Sequence, residues 1–320
     1  MTTVVEIQNL SKRFGRRAAV DNISLSIEQG EIFGLVGPNG AGKTTTMRML
    51  VTLLQPDKGE IHVGGHSVQK NPRAVRRIIG YMPDSFGVYG DMTTQEYLDF
   101  FGACYQIEPA KRAALIDDLL ELVELSHRRN DMVDTLSTGL KQRLGLARVL
   151  IHDPEVLVLD EPASGLDPRA RVEIRELLRE IARLGKTILF SSHILADVAQ
   201  LCTRVAILEN GQLAAVGSLE QLNASLIPHR TLQIGLLKTI DPQQARLTLA
   251  TLPGIVDARP LEGLQDSTRI AFEADFDGDD LALHALLQEM LARGLPLVQL
   301  SEDTQTLEEV FLRATKGIVS

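Results

Sequence analysis

The sequence predicts an α/β fold with a second, small α+β domain at its C-terminal end. Runs typical of strands alternate with helical patterns as far as about residue 216, and such alternation is typical of a largely parallel sheet with helices on its faces. The composition then changes over residues 217–230. With 320 residues in the chain and about 150 residues to a domain, two domains are expected, which we place at 1–227 and 228–320.

The first elements are strands that lead into a helix. Residues 3–36 alternate short apolar runs with turns, and the last run is apolar throughout, as in a buried strand. A glycine-rich turn follows, and the next helix carries Met47, Leu50, Val51 and Leu54 on one face. The turn therefore joins a buried strand to an amphipathic helix.

The later elements of the first domain continue the alternation. Residues 56–82 have strand and turn patterns, residues 93–127 are helical, and a further helix opens behind Ser137. The remaining elements are a buried strand ending at Asp160, a helix at 168–184, a strand at 186–192, a helix at 194–201 and strands over 204–216.

In the C-terminal module, residues 228–320, the sequence predicts three strands separated by two helices, with a closing helix over residues 306–315. It contains no glycine-rich phosphate loop, and its acidic run around Gly278 lacks the spacing and bidentate glutamate of a calcium loop. We expect no catalytic or metal site there.

The charge and composition of the chain disfavour a nucleic-acid partner. Lys and Arg number 33 against 42 Asp and Glu, a net charge of −9, whereas nucleic-acid-binding proteins usually carry a basic excess or stripe. Tryptophan is absent and aromatic residues make up 4% of the chain, so stacking platforms for single strands are scarce. We expect no nucleic-acid partner.

No segment has the pattern of a membrane span or a secretory signal. The longest stretch free of Asp, Glu, Lys and Arg is the 11 residues from Ile32 to Gly42, about half of the roughly 20 apolar residues that a spanning helix needs. The first residues lack a basic region followed by an apolar run. We therefore expect a cytoplasmic protein in which Cys104 and Cys202 are reduced thiols.

A phosphate-binding motif lies between the buried strand and the first helix. Gly37, Gly42, Lys43 and Thr44 have the spacing of a P-loop, and a strand before it and a helix after it are the context that the motif requires. Such a loop directs backbone N–H groups at phosphates, its lysine bridges the terminal phosphates, and its threonine ligates Mg²⁺. The predicted ATP-binding residues are Gly37, Pro38, Asn39, Gly40, Ala41, Gly42, Lys43, Thr44 and Thr45.

A later apolar strand ends in two carboxylates, Asp160 and Glu161. The aspartate is placed to hold Mg²⁺ beside the P-loop, and the glutamate is placed to polarise the water that attacks the γ-phosphorus. Apolar strands ending in Asp-Glu also occur without such a role, so the P-loop earlier in the chain is what supports this interpretation.

These two motifs and three others resemble those of the ATP-binding cassette (ABC) ATPases. Residues 136–143 are similar to the signature of that family, residues 164–167 to its D-loop, and His193 to its switch histidine. The motifs follow the family order over about two thirds of the chain. The resemblance implies an ATP-hydrolysing, P-loop NTPase domain of the ABC type, with a helical subdomain at about 84–150.

The resemblance also implies roles for single residues. Ser137 and Gly139 would form a second cradle, for the γ-phosphate held by the opposite protomer, which implies a homodimer closed around two ATP molecules. His193 would contact the γ-phosphate, and Phe14 occupies the place of the aromatic that stacks on adenine, although an ordinary partly buried phenylalanine remains an alternative. The candidate catalytic residues are Glu161, His193 and Lys43.

The chain departs from the family pattern at three positions. Asp84 stands where the family usually has glutamine, Thr138 replaces the second residue of the signature, and Leu140 replaces its glutamine. A carboxylate at position 84 can reach Mg²⁺ through a water, but it adds negative charge near the phosphates. The candidate metal ligands are Thr44, Asp160 and Asp84.

Aromatic residues concentrate in the segment after Asp84. In the family this region receives a coupling helix of the membrane subunit, and aromatic side chains suit such an interface because they supply a large contact area. Burial within the helical core is the alternative for Phe100 and Phe101. The residues concerned are Phe86, Tyr89, Tyr97, Phe100 and Phe101.

Three functions are compatible with the motifs. The first is the ATPase subunit of an exporter of hydrophobic compounds or drugs, peripheral on the inner face of the cell membrane and bound to an integral membrane permease. The chain ending, over residues 306–317, resembles single-cassette ATPases of the drug-resistance type. The alternatives are a soluble cassette ATPase acting on ribosomes or DNA, and a nucleotide-binding regulator.

Overall fold

The computed structural model describes residues 2–85, 87, 89–226, 229–261 and 268–302, with the single positions 307, 311 and 315. The chain divides into two units, Met1–Leu219 with Ala314–Ser320 and Glu220–Arg313. The division falls at the first residue of the helix Leu219–Leu226, earlier than the limit that we predict at 227. Phe86 and most of the predicted closing helix at 306–315 lie outside the described residues.

Two sheets form the first unit. One has six strands in the order β10-β9-β3-β8-β7-β6, in which all neighbours are parallel except β10 and β9. The other is antiparallel, in the order β2-β1-β4-β5. Their strands are β1 (Thr3–Phe14), β2 (Arg17–Glu28), β3 (Ile32–Val36), β4 (Lys58–Val63), β5 (His66–Ser67), β6 (Ile79–Met82), β7 (Val156–Leu159), β8 (Thr187–Ser192), β9 (Arg204–Glu209) and β10 (Gln212–Gly217).

The predicted parallel sheet is present, and its inner strands are buried along their whole length. All four residues of β7 and all six of β8 are buried, as expected of inner strands that are covered on both faces. The run of β7 is apolar throughout, whereas β8 begins with Thr187 and ends with Ser191 and Ser192. The carboxyl ends of β3, β7 and β8 lie side by side, so the loops that follow them meet at one edge of the sheet.

Three helices of the first unit, α3, α5 and α6, begin at a residue whose side chain caps the helix. Thr93 and Glu96 form a capping box at the start of α3, and the Asp167 carboxylate accepts from two backbone N–H groups at the start of α6. The helices of this unit are α1 (Lys43–Leu50), α2 (Pro72–Ile78), α3 (Thr94–Cys104), α4 (Pro109–Leu122), α5 (Thr138–Leu150), α6 (Pro168–Arg183) and α7 (Leu195–Leu201), and the second unit begins within α8 (Leu219–Leu226).

Two local predictions in the first unit are wrong. The helix after the P-loop ends at Leu50 and does not reach Leu54. Thr52 has a left-handed backbone (φ 67°), and the N–H of Leu53 bonds to the carbonyl of Arg48, one residue farther back than in a regular α-helix. The short helix α2 lies in a region where we predict only strands and turns.

The second unit is a βαββαβ module with an antiparallel sheet in the order β12-β13-β11-β14, the arrangement of a ferredoxin-like fold. Its apolar core includes Leu232, Phe272 and Leu286. The edge strand β12 is missing from the prediction because Val256, Asp257 and Arg259 are all exposed. The elements are β11 (Arg230–Leu237), α9 (Pro242–Ala250), β12 (Ile255–Pro260), β13 (Arg269–Phe276), α10 (Asp280–Ala292) and β14 (Leu297–Glu302).

Among the described helices, none is both long enough and apolar enough to cross a membrane.

Candidate nucleotide-binding site

The P-loop joins β3 to α1, and its path is set by glycines. A Cβ atom at Gly37 would lie 2.3 Å from the carbonyl oxygen of Leu208 on β9, and one at Gly42 would lie 2.5 Å from that of Ala19 on β2. Gly42 also has a left-handed backbone (φ 108°). Only glycine fits these two positions, because the obstructing atoms belong to the backbone and cannot turn aside.

The loop lines a cavity of about 380 Å³. The cavity brings together most of the predicted ATP-binding residues with two of the predicted carboxylates, and it adds Arg17 and Ala19, which have no predicted role. Its lining is Phe14, Arg17, Ala19, Pro38, Asn39, Gly40, Ala41, Gly42, Lys43, Thr44, Thr45, Asp84 and Glu161.

Lys43 is the buried cation of this cavity, with 6% of its surface exposed. Its Nζ donates to the carbonyl of Gly37 at 2.7 Å and to that of Pro38 at 3.4 Å, and it lies 3.6 Å from Oε1 of Glu161. The ammonium group is therefore held against the loop by neutral acceptors and by one carboxylate.

Asp160 and Glu161 follow β7 directly and share one hydroxyl. Ser191 on β8 donates from Oγ to Oδ1 of Asp160 at 2.7 Å and accepts from the N–H of Glu161 at 3.0 Å. Asp160 is 1% exposed, while Glu161 has a left-handed backbone (φ 52°), a conformation that costs about 1–2 kcal/mol in a non-glycine residue. Strain of this kind clusters at functional sites. Ser191 has no predicted role either.

His193 contacts Glu161 rather than Asp160. Its Nδ1 lies 2.7 Å from Oε2 of Glu161, and its backbone N–H donates to the same oxygen at 3.4 Å. Half of the histidine side chain is exposed, against 13% of the glutamate side chain. Glu161 is thus held between Lys43 on one oxygen and His193 on the other.

Asp84, after β6, lines the same cavity. Burial raises the pKa of its carboxyl above the ordinary value of 3.8, and the negative charges of Asp160 and then Glu161 raise it further, while His193 acts in the opposite direction. The carboxylate at this position therefore adds to an already acidic edge of the cavity.

Phe14 stands at the rim of the cavity with 53% of its surface exposed. Nζ of Lys12 lies 5.8 Å from the centre of its ring. The ring is not part of a packed core, so one face is available to a planar ligand.

Ser137 and Gly139 lie apart from these residues. Ser137 is the N-cap of α5, where its hydroxyl accepts from the N–H of Leu140 at 3.4 Å. Both line a second cavity of about 250 Å³ with Asp167 and Arg169, which shares no lining residue with the P-loop cavity. The structure therefore does not bring the two predicted phosphate cradles together within one chain.

The comparisons with known proteins agree with the P-loop and the strand that carries Asp160. The family model described as ABC transporter matches residues 20–164. The chain is 33% identical to the linearmycin resistance ATP-binding protein of Bacillus subtilis over 98% of each chain. It is 34% identical to the Nod factor export ATP-binding protein I of Burkholderia orbicola, over 97% of this chain and 96% of that protein.

The chain belongs to the ABC transporter family. As an ABC transporter ATP-binding subunit, it binds and hydrolyses ATP. A solved ATP-binding subunit of an ABC transporter is similar with a TM-score of 0.63 and 29% identity, covering 69% of this chain and 92% of that one. The ADP conformation of another ABC transporter cassette has a TM-score of 0.62 and 25% identity, covering 68% and 92%.

The raised pKa of Asp84 in this ABC subunit has a consequence for stability without nucleotide or divalent cations. The folded protein holds the Asp84 proton more tightly than the unfolded chain, so the stability that this proton supplies is present below pH 3.8 and lost as the pH rises through the raised pKa. We expect Asp84→Asn to have a higher thermal unfolding midpoint than the wild type at pH 7, with the gap narrowing towards pH 4.

Asp57 provides the control, because its hydrogen bond with Lys12, followed by that with Arg13, lowers the pKa of its carboxyl. Asp57→Asn should therefore have a lower thermal unfolding midpoint than the wild type at pH 7, and this difference should narrow as the pH falls. Equal midpoints for Asp84→Asn and the wild type from pH 4 to pH 7 would contradict the prediction for Asp84.

Proposed function

We propose that this chain powers the export of a hydrophobic compound through a separate membrane subunit, by hydrolysing ATP bound at the P-loop cavity. The position of Glu161 carries the proposal. Its carboxylate lies 3.6 Å from Lys43 and 2.7 Å from His193, where a general base is needed if the γ-phosphate is held by the lysine. The relatives named for linearmycin resistance and Nod factor export support an exporter.

The Lys43 contacts support its role as a phosphate ligand. Within the described residues, it has two carbonyl acceptors and one carboxylate neighbour. A terminal phosphate carries more negative charge than these carbonyls, so the ammonium group has a stronger acceptor when ATP enters. Moving towards the phosphate would also free Glu161 to engage water.

The donor set fits Mg²⁺ bound together with nucleotide. Thr44 supplies a hydroxyl at the start of α1, and Asp160 supplies a buried carboxylate of which Oδ1 accepts from Ser191. Magnesium in such sites takes one or two carboxylates together with phosphate oxygens and waters, so these two residues are sufficient, with Asp84 as an outer ligand through water. The ion would neutralise charge that develops on the β and γ oxygens.

His193 would position Glu161 and sense the γ-phosphate. A neutral imidazole has one donor and one acceptor nitrogen, and Nδ1 already contacts the glutamate. If Nδ1 carries the proton and donates it to Glu161, Nε2 can only accept; a protonated ring offers both N–H groups, one to the glutamate and one to the phosphate. Donation from Nε2 to the γ-phosphate would therefore need either a ring with both N–H groups or the release of Nδ1 from Glu161.

We expect Glu161→Gln to reduce ATP turnover at least about a hundredfold, the lower range for loss of a general base, while ATP binding is retained. Phosphate release and nucleotide binding to the purified variant measure the two effects. Glu180→Gln, on the exposed side of α6, is the matched control and should hydrolyse ATP like the wild type. Unchanged turnover in Glu161→Gln would rule out this residue as the base.

We further propose that two copies close around two ATP molecules. The cradle of Ser137 and Gly139 shares no lining residue with the P-loop cavity, so within this proposal it acts on nucleotide held by a second copy. The start of a helix suits this role, because free N–H groups and the helix dipole both favour an anion. A Cβ at Gly139 would make only ordinary contacts, the nearest at 3.6 Å, so packing within the chain does not require glycine there.

We expect Glu161→Gln to form a dimer when ATP and Mg²⁺ are present, because the bound nucleotide is not consumed. Adding Ser137→Arg should abolish the dimer, since the bulky side chain fills the cradle. Size exclusion with light scattering measures both states, and Ser126→Arg, also at an exposed position, is the control. A monomer under saturating ATP in Glu161→Gln would contradict the paired arrangement.

We propose that the membrane subunit docks on the aromatic residues of the helical region. Tyr89 and Phe100 are 50% and 37% exposed and make an edge-to-face contact at 5.4 Å. Tyr97, by contrast, is fully buried and packs against Phe101. The outer pair forms an exposed apolar surface, and binding there would place the protein on the inner face of the membrane.

We expect the double variant Tyr89→Ala, Phe100→Ala to lose its membrane partner while keeping the ATPase activity of the isolated protein. Affinity purification from detergent-solubilised membranes, with mass spectrometry of the co-eluting integral protein, measures the loss. Val172→Ala, an exposed apolar position on α6, is the control. Co-elution of the same integral protein at wild-type level would contradict docking at this surface.

A further inference from the structure

Arg17 enters the P-loop cavity from the same hairpin as Phe14. It is the first residue of β2 and lies opposite Phe14, the last residue of β1, in the register of the two strands. Both side chains line the cavity of about 380 Å³. The hairpin therefore presents a cation beside the aromatic ring.

The Arg17 side chain reaches the P-loop itself. Its Nη2 donates to the carbonyl of Gly40 at 3.3 Å, at a residue with a left-handed backbone (φ 82°). Two residues farther along β2, the carbonyl of Ala19 approaches Gly42 so closely that a Cβ there would lie 2.5 Å from it. Strand β2 thus runs along the loop, and the exposed Arg17 side chain makes one hydrogen bond to the loop that would surround phosphate.

Arg17 is the less compensated of the two cations that line the cavity. Within the residues that the structure describes, Arg17 makes no ion pair, whereas Lys43, the other cation of the lining, has Glu161 at 3.6 Å. A guanidinium carries five N–H donors, and the bond to Gly40 uses one of them. The exposed group therefore retains donors and its positive charge at the edge of a cavity that suits an anion.

We propose that Arg17 binds the phosphate chain of the nucleotide and, with Lys43, sets the affinity for it. The proposal rests on the P-loop cavity being the ATP site. Bonds between arginine and phosphate are charge-assisted and stronger than the bond to a peptide carbonyl, so phosphate would be preferred over Gly40. The residues placed around the reacting water are Glu161 and His193, and Arg17 contacts neither within the described structure, so its effect should fall on binding rather than on turnover.

Three substitutions at position 17 separate charge from the bond to the loop. Arg17→Lys keeps the charge, Arg17→Gln keeps an N–H donor for the Gly40 carbonyl without charge, and Arg17→Ala keeps neither. Arg16→Gln is the matched control, because Arg16 is exposed, adjacent and outside the lining of the cavity. Lys43→Ala tests whether the nucleotide binds at the P-loop at all.

Binding of MgATP and MgADP is measured by calorimetry, and the Michaelis constant and turnover number by phosphate release. We expect Arg17→Gln and Arg17→Ala to weaken binding of both nucleotides and raise KM about tenfold, within the range for loss of a charge-assisted hydrogen bond, with kcat within about twofold. Arg17→Lys should retain most of the affinity. Raising the salt concentration should reduce the difference in nucleotide affinity between the wild type and Arg17→Gln.

Two results would overturn the role of Arg17. One is wild-type affinity in Arg17→Gln with loss only in Arg17→Ala, which would show that the residue merely supports the loop. The other is a loss of affinity for ATP in Arg17→Gln with no loss of affinity for 2′-deoxy-ATP, which would place the contact on the ribose. Wild-type nucleotide affinity in Lys43→Ala would instead contradict the proposed site, whatever the substitutions at position 17 show.

Discussion

The close approach of the P-loop backbone to its neighbours is the constraint on which the site depends. At Gly37 the loop lies against the carbonyl of Leu208, and at Gly42 it lies against that of Ala19. These two contacts tie the loop to β9 on one side and to β2 on the other, and β2 belongs to the separate antiparallel sheet. A cavity between two sheets is therefore built by backbone atoms before any side chain is considered, and close packing of this kind resists displacement.

The charges of the cavity are arranged around that backbone. Lys43 is held by loop carbonyls, Glu161 lies between this lysine and His193, and Asp84 adds a further carboxylate. The acidic groups come from the ends of parallel strands that share one edge of the sheet, whereas Arg17 comes from the other sheet. Apart from Lys43, the six-stranded sheet thus supplies the carboxylates and the antiparallel sheet supplies the cation Arg17. This separation of charges suits an anion that is bound together with a divalent cation.

The sequence predicts the elements and motifs that are local in the chain and misses those that arise from contacts between distant segments. The strand before Asp160 is predictable because a strand buried on both faces is apolar throughout. β12 is not predictable, because Asp257 and Arg259 interrupt its apolar residues at the edge of the sheet. The P-loop is recognised from its own spacing. Arg17 and Ser191 carry no such signal, since one contacts a residue 23 positions away and the other a residue 31 positions away.

Ser191 also limits how the candidate site can change. A single hydroxyl group donates to the carboxylate of Asp160 and accepts from the peptide of Glu161, so the candidate metal ligand and the candidate base have one common support. A substitution at Ser191 would therefore affect the Asp160 carboxylate and the Glu161 backbone together. Variation among such proteins, or redesign of this one, would therefore be easier at Asp84, which follows a different strand, β6, and lies outside this shared support.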